Sequence, residues 1–94
     1  MSDRKIGGLK YKRAPHAAWR RVENESILLD LKTGVYYSLN ETASFIWERL
    51  VSGASVPEAA AQLCAEFDVS PEEASRDADA LVAKLCREKL LLPA

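Results

Sequence analysis

Histidine and cysteine are almost missing from this chain. His16 is the only imidazole, and Cys64 and Cys86 are the only thiols in 94 residues. A metal site needs several such ligands at close spacing, and none are spaced that way, so neither metal nor cofactor is expected. The two cysteines lie on or beside apolar helical stripes and read as reduced core residues. Glycine is scarce too. Gly7-Gly8, Gly34 and Gly53 never form a phosphate-cradling loop after a strand. No apolar run approaches the roughly 18 residues of a membrane span. No apolar signal region follows the N-terminal charges, so a cytoplasmic protein is expected. No nucleophile stands beside a base at a recognisable spacing. The carboxylates Glu72, Glu73, Asp77 and Asp79 gather at a predicted helix start, where the macrodipole favours them without any catalytic role. The chain does not read as an enzyme.

What is present suffices for one small domain with a real core, since 48% of the residues are hydrophobic. Charge is unevenly spread. Arg4, Lys5, Lys10, Lys12, Arg13, Arg20 and Arg21 face Asp3 alone in the first 21 residues, giving that part +6 and leaving −7 for the rest. Residues 1–14, with little periodicity, are expected to form a flexible basic arm, and residues 15–94 the folded domain.

The stretch Ser26–Asn40, SILLDLKTGVYYSLN, organises that domain. Ile27, Leu29, Leu31, Val35, Tyr37 and Leu39 alternate with their neighbours, the period of a half-buried strand pair. Lys32-Thr33-Gly34 fits a three-residue hairpin loop, so Leu31 should face Val35, Leu29 face Tyr37 and Ile27 face Leu39. Trp19–Glu23 supplies a preceding strand and completes a meander. Asn40 can cap a helix over Glu41–Ser52, whose stripe is Ala43, Ile46, Trp47 and Leu50; Phe45 lies off it. Ser55 and Glu58 form a capping box for a second helix to Phe67, and Ser70-Pro71 opens a third to Glu88. Ala74, Ala78, Leu81, Val82 and Leu85 are the core face of the third helix. Leu90-Leu91-Leu92 is expected to lie against the core. The predicted fold is α+β and winged-helix-like, a three-stranded antiparallel sheet followed by three helices.

Two functions suit such a fold. A helix-turn-helix invites a DNA-binding transcriptional regulator, but the first turns of the third helix are acidic, and only six residues follow Glu88 where a wing would stand. Nucleic acid is therefore not the expected partner. An exposed strand edge beside a helix suits an extended peptide. The backbone of Val35, Tyr36, Tyr37, Ser38 and Leu39 would supply ladder bonds. Ala80 and Ala83 would leave room for apolar anchors, and Asp77, Lys84 and Arg87 could pair with peptide charges. Self-pairing of the same edge would give at most a weak homodimer.

The run LLDLKTGVYYSLNETASFIWERL, then SVPEAAAQLCAEFDVSPEEASRDADALVAKL and KLL, resembles the PqqD-like family of stand-alone RiPP recognition elements. Leu28–Leu31, Gly34, Tyr36-Tyr37, Leu39-Asn40, Ile46-Trp47, Leu50, Asp77, Leu81, Leu85 and Leu90-Leu91 carry the likeness across Trp19–Leu92. It implies a precursor-peptide chaperone. The leader peptide would add as a strand to Val35–Leu39 against Asp77, Ala80, Leu81, Lys84 and Arg87, for delivery to a separate leader peptidase, cyclase or radical SAM enzyme. The YY-x-LN form is similar to members from lasso-peptide pathways. Lys89 stands where the family often has glycine.

Overall fold

The computed structural model describes residues 9–94. Its elements are β1 (Tyr11–Arg13), β2 (Ala17–Val22), β3 (Glu25–Asp30), β4 (Tyr36–Leu39), α1 (Glu41–Val51), α2 (Val56–Glu66), α3 (Pro71–Arg87) and β5 (Leu91–Pro93). Strands β2, β3 and β4 form an antiparallel sheet in chain order, and β1 pairs with β5 in a separate ribbon. The α+β class and the order of sheet then helices are as expected. The winged-helix likeness is loose, because the chain after α3 returns to β1 and builds no wing.

Local chemistry sets the helix ends. Asn40 Oδ1 accepts from the Ala43 amide at 2.9 Å and starts α1. At α2, Ser55 Oγ accepts from the Glu58 amide at 3.2 Å while Glu58 accepts from the Ser55 amide at 2.8 Å. Those bonds also hold the Glu58 carboxyl below its usual range. Ser70 caps α3, with Pro71 at its first position. At the far end, Leu90 N–H donates to Leu85 O and Lys89 N–H to Cys86 O. This is a Schellman motif, and its αL position falls on Lys89, at φ 64°. Glycine takes this conformation without steric cost, whereas lysine meets the backbone requirement under strain.

Helix α1 packs on one face of the sheet. Trp47 is fully buried and meets Trp19 edge-on, with ring centroids 6.0 Å apart. The buried hydroxyls of Ser26 and Ser44 bond to each other and pin β3 to α1. Arg21 reaches Glu48 at 2.6 Å. Off the main stripe, Phe45 packs edge-on against Phe67 at 5.4 Å, with Arg49 over its ring. Leu63, Ala74, Ala78, Leu85, Leu90 and Leu91 complete the core beneath α1.

Two expectations are corrected. The hairpin register is shifted by one residue: Leu28 faces Tyr37, Leu29 faces Tyr36 and Ser26 faces Leu39. The loop is longer than expected, because Asp30 N–H bonds Val35 O and the Asp30 carboxylate turns back onto the amides of Lys32 and Thr33. One residue of slip exchanges the faces of a strand. Ser26, Leu28 and Asp30 therefore face the core, and Ile27, Leu29 and Leu31 face away. The strand expected over Trp19–Glu23 is β2, which begins earlier, at Ala17, and ends at Val22 before a turn at Glu23, where φ is 58°.

The expected arm differs as well. Residues 1–8 lie outside the described residues, but 9–14 are built into the fold. Tyr11–Arg13 pairs with Leu91–Pro93, the Val56 amide donates to Leu9 O, and Ala14, fully buried, donates to Leu90 O. Too short to show periodicity, this strand is specified by partners at the opposite end of the chain.

A chain beginning at Pro15 should therefore lose about 2 kcal/mol or more of stability in urea unfolding, while one beginning at Leu9 keeps it. Lys89→Gly should add about 0.5–1 kcal/mol, because relief of the αL strain exceeds the added flexibility of the unfolded chain.

Candidate peptide-binding groove

Strand β4 is an edge strand, and the bonding phase of the hairpin decides which of its groups are open. Since Asp30 N–H bonds Val35 O, the bonded rungs fall at Asp30/Val35, Leu28/Tyr37 and Ser26/Leu39. The N–H and C=O groups of Tyr36 and Ser38 are thus directed to the open edge. Their side chains point to the outer face of the sheet, while Val35 and Tyr37 face the helices' side.

Alongside this edge, α3 lines two hollows with successive turns of one stripe. Asp77, Ala80, Leu81 and Lys84 face Asn40, Thr42, Ala43 and Ile46 across a hollow of about 290 Å³. One turn further on, Arg87, Glu88 and Lys89 face Val35 and Tyr37, with His16, Asp30, Lys32 and Thr33 at the rim. Together they form a groove between β4, the start of α1 and α3. Leu81 is its buried floor, and the small Ala80 leaves the space open.

Tyr37 joins the two walls, because its hydroxyl donates to Glu88 Oε1 at 3.0 Å. Loss of hydration, and then the bond to Glu88 and that group's charge, push the phenol above its usual pKa. Asp30 fixes the turn that presents β4. Its burial opposes ionisation, but the amides of Lys32 and Thr33 and the nearby His16 outweigh this and hold the carboxyl below its ordinary value.

Most of the ten sequence-predicted residues meet here, in different roles. Val35, Tyr37, Asp77, Ala80, Leu81, Lys84 and Arg87 line the groove, and Tyr36 and Ser38 contribute main chain. Leu39 is a core residue, 4% exposed, whose main chain points inward to Ser26. Ala83 lies on the opposite flank of α3, facing Leu9, Tyr11 and Val56. The sequence reading missed Asn40, Thr42, Ala43 and Ile46. Asn40 was legible as a cap, and a helix capped at the end of an edge strand necessarily brings its first turn to that edge.

Fold and groove together define a small domain with an open strand edge beside an amphipathic helix, a surface suited to an extended chain. The family model for coenzyme PQQ synthesis protein D matches residues 25–91. The chain belongs to this PqqD family. Two solved structures are similar. One, described as TbiB1 in complex with the TbiA(beta) leader peptide, is 30% identical over 85% of this chain and 93% of that one, with a TM-score of 0.79. The other, a lasso peptide synthetase B1 complexed with the leader peptide, is 33% identical over 89% and 99%, with a TM-score of 0.81. No match was found among curated proteins.

The Asp30 carboxyl is lowered by folding from 3.8. Its contribution to stability is therefore complete above that value and is lost as pH falls through the lower folded value. The stability gap between wild type and Asp30→Ala should be constant near neutrality and narrow below about pH 4, as read by urea unfolding across pH.

Proposed function

We propose that this chain is a non-catalytic chaperone for the leader segment of a ribosomally made precursor peptide. The leader adds as a strand to the open edge of β4, lies in the groove against α3, and is presented to a separate modifying enzyme such as a leader peptidase or a radical SAM enzyme. The observation that carries this reading is the open backbone of Tyr36 and Ser38 running beside a groove with apolar floor and charged rim. The leader complexes of the two similar B1 structures support it.

Affinity comes first from main-chain bonds, each worth about 0.5–1.5 kcal/mol net. Alternate leader side chains then enter the two hollows, an apolar one over Ala80 and Leu81. Arg87, Lys89 and Lys32 favour an acidic leader residue at the other end. Nothing in the site favours DNA: α3 begins with Glu72 and Glu73 and carries Asp77 and Asp79 one turn later.

Titrating the precursor peptide encoded beside this gene should move amide signals of Val35–Leu39 and Asp77–Arg87. Shifts confined to residues 1–21, or no shifts, would sink the reading. Calorimetry should show Tyr37→Asp weakening the peptide by about tenfold or more, and Lys84→Ala by about threefold or less, both variants being folded by circular dichroism. Equal losses would mean the groove is misplaced.

A further inference from the structure

Asn40 closes the open edge of β4, and its polar groups are sorted by kind. Its backbone is extended, at φ −70° and ψ −177°, so the alternation that sends Tyr36 and Ser38 outward carries on to its N–H. Its carbonyl does not follow. Asn40 O accepts from the Ser44 amide at 2.7 Å and belongs to α1. The side chain is divided in the same way. Oδ1 accepts from the Ala43 amide at 2.9 Å and from Thr42 Oγ1 at 3.3 Å, so the oxygen is turned into the helix. Capping uses only that oxygen. Nδ2, on the other side of the carboxamide, has no partner among the described residues, and neither has the main-chain N–H. Both acceptors of Asn40 are thus taken by α1, while its donors stay on the exposed rim of the hollow shared with Asp77, Ala80, Leu81 and Lys84.

We propose that Asn40 sets the register of the bound leader, its Nδ2 donating to an oxygen on one leader side chain, a carboxylate, carboxamide or hydroxyl. The inference rests on the leader-chaperone reading and names a determinant within it. The strand ladder alone does not fix register. Tyr36 and Ser38 each offer one donor and one acceptor, so a peptide that slides by two residues pairs with them equally well. Asn40 breaks that equivalence. The leader residue opposite it gives its carbonyl to the Asn40 N–H, and Nδ2 is left to be matched by the side chain seated in the hollow. A leader out of register covers Nδ2 with an apolar side chain. A donor stripped of water without a partner penalises the slip more than the correct bond rewards the fit. Charge does not select the residue. Lys84 on the facing wall favours a carboxylate and Asp77 beside it opposes one. The oxygen is therefore the feature that is read.

The test uses the full chain and the precursor peptide encoded beside its gene, by calorimetry. Asn40→Ser and Asn40→Asp both keep a capping oxygen and remove Nδ2, and both should unfold at the wild-type urea midpoint. Asn40→Ser should weaken the peptide about fivefold and Asn40→Asp about tenfold or more, because the second carboxylate oxygen then faces the leader's acceptor. Alanine replacement of each leader residue that carries a side-chain oxygen gives a readout that a capping role would not move. One position should cost wild type about fivefold and Asn40→Ser less than about twofold. Wild-type affinity in Asn40→Ser overturns the proposal, as does a scan in which no leader position is coupled to Asn40. A lowered urea midpoint in both variants, with equal losses at every leader position, assigns Asn40 to folding alone and also overturns it. In each of these outcomes wild type still binds the peptide and the chaperone reading stands. A wild type that ignores the peptide removes that reading, and the register inference with it.

Discussion

Helix α1 lies on one face of a three-stranded sheet, centred on the edge-on contact of Trp47 with Trp19, and the rest of the molecule follows from that packing. A chain of this size has helices enough to cover one sheet face only. Once Trp47, Ile46 and Leu50 are buried against it, α2 and α3 can reach the core only by packing on α1 and on one another. Two surfaces are left open as a result: the edge of β4 and the outer face of the sheet. Both are liabilities in an isolated domain, the first for strand pairing and the second for association.

The groove depends on two small devices at its ends. At one end, Asp30 folds the β3–β4 turn onto its carboxylate and fixes the phase that sends Tyr36 and Ser38 outward. At the other, the Schellman motif after α3 turns the chain so that Leu90 and Leu91 enter the core and Leu91–Pro93 pairs with β1. Tyr37 ties the two ends through Glu88. The wall made by α3 is thereby held at a set distance from the strand. Strand addition needs such preorganisation, since an edge that moved relative to its groove would give back in ordering entropy what the ladder bonds supply.

The charge pattern gains a different meaning in three dimensions. Lys10, Lys12 and Arg13, read in sequence as parts of a mobile basic arm, lie on or beside a strand, where Arg13 bonds Ala17 O at 2.7 Å. Acidic residues at the start of α3 serve the helix dipole, and of them only Asp77 lines the groove, beside Lys84; Arg87 and Lys89 stand at its other end with Glu88 and Asp30.

Much of this was legible in the residues. Ser55 with Glu58, Ser70 with Pro71, and Asn40 announced every helix start, because capping is a contact between residues three apart. The stripe Ile46, Trp47, Leu50 announced the core face of α1, and the stripe Asp77, Ala80, Leu81, Lys84 one wall of the groove, because helical period converts spacing directly into a face. Strand register was not legible. Alternation in Ile27, Leu29 and Leu31 says that the strand has an apolar face but not where that face points, and only the four-residue turn closed by Asp30 and the Ser26–Ser44 contact turned it outward. The first strand, Tyr11–Arg13, was equally hidden, because three residues carry no period and its partner lies at the other end of the chain. Local interactions were written in the sequence; which face meets the core, and which is left for partners, was decided by the tertiary packing of α1 on the sheet.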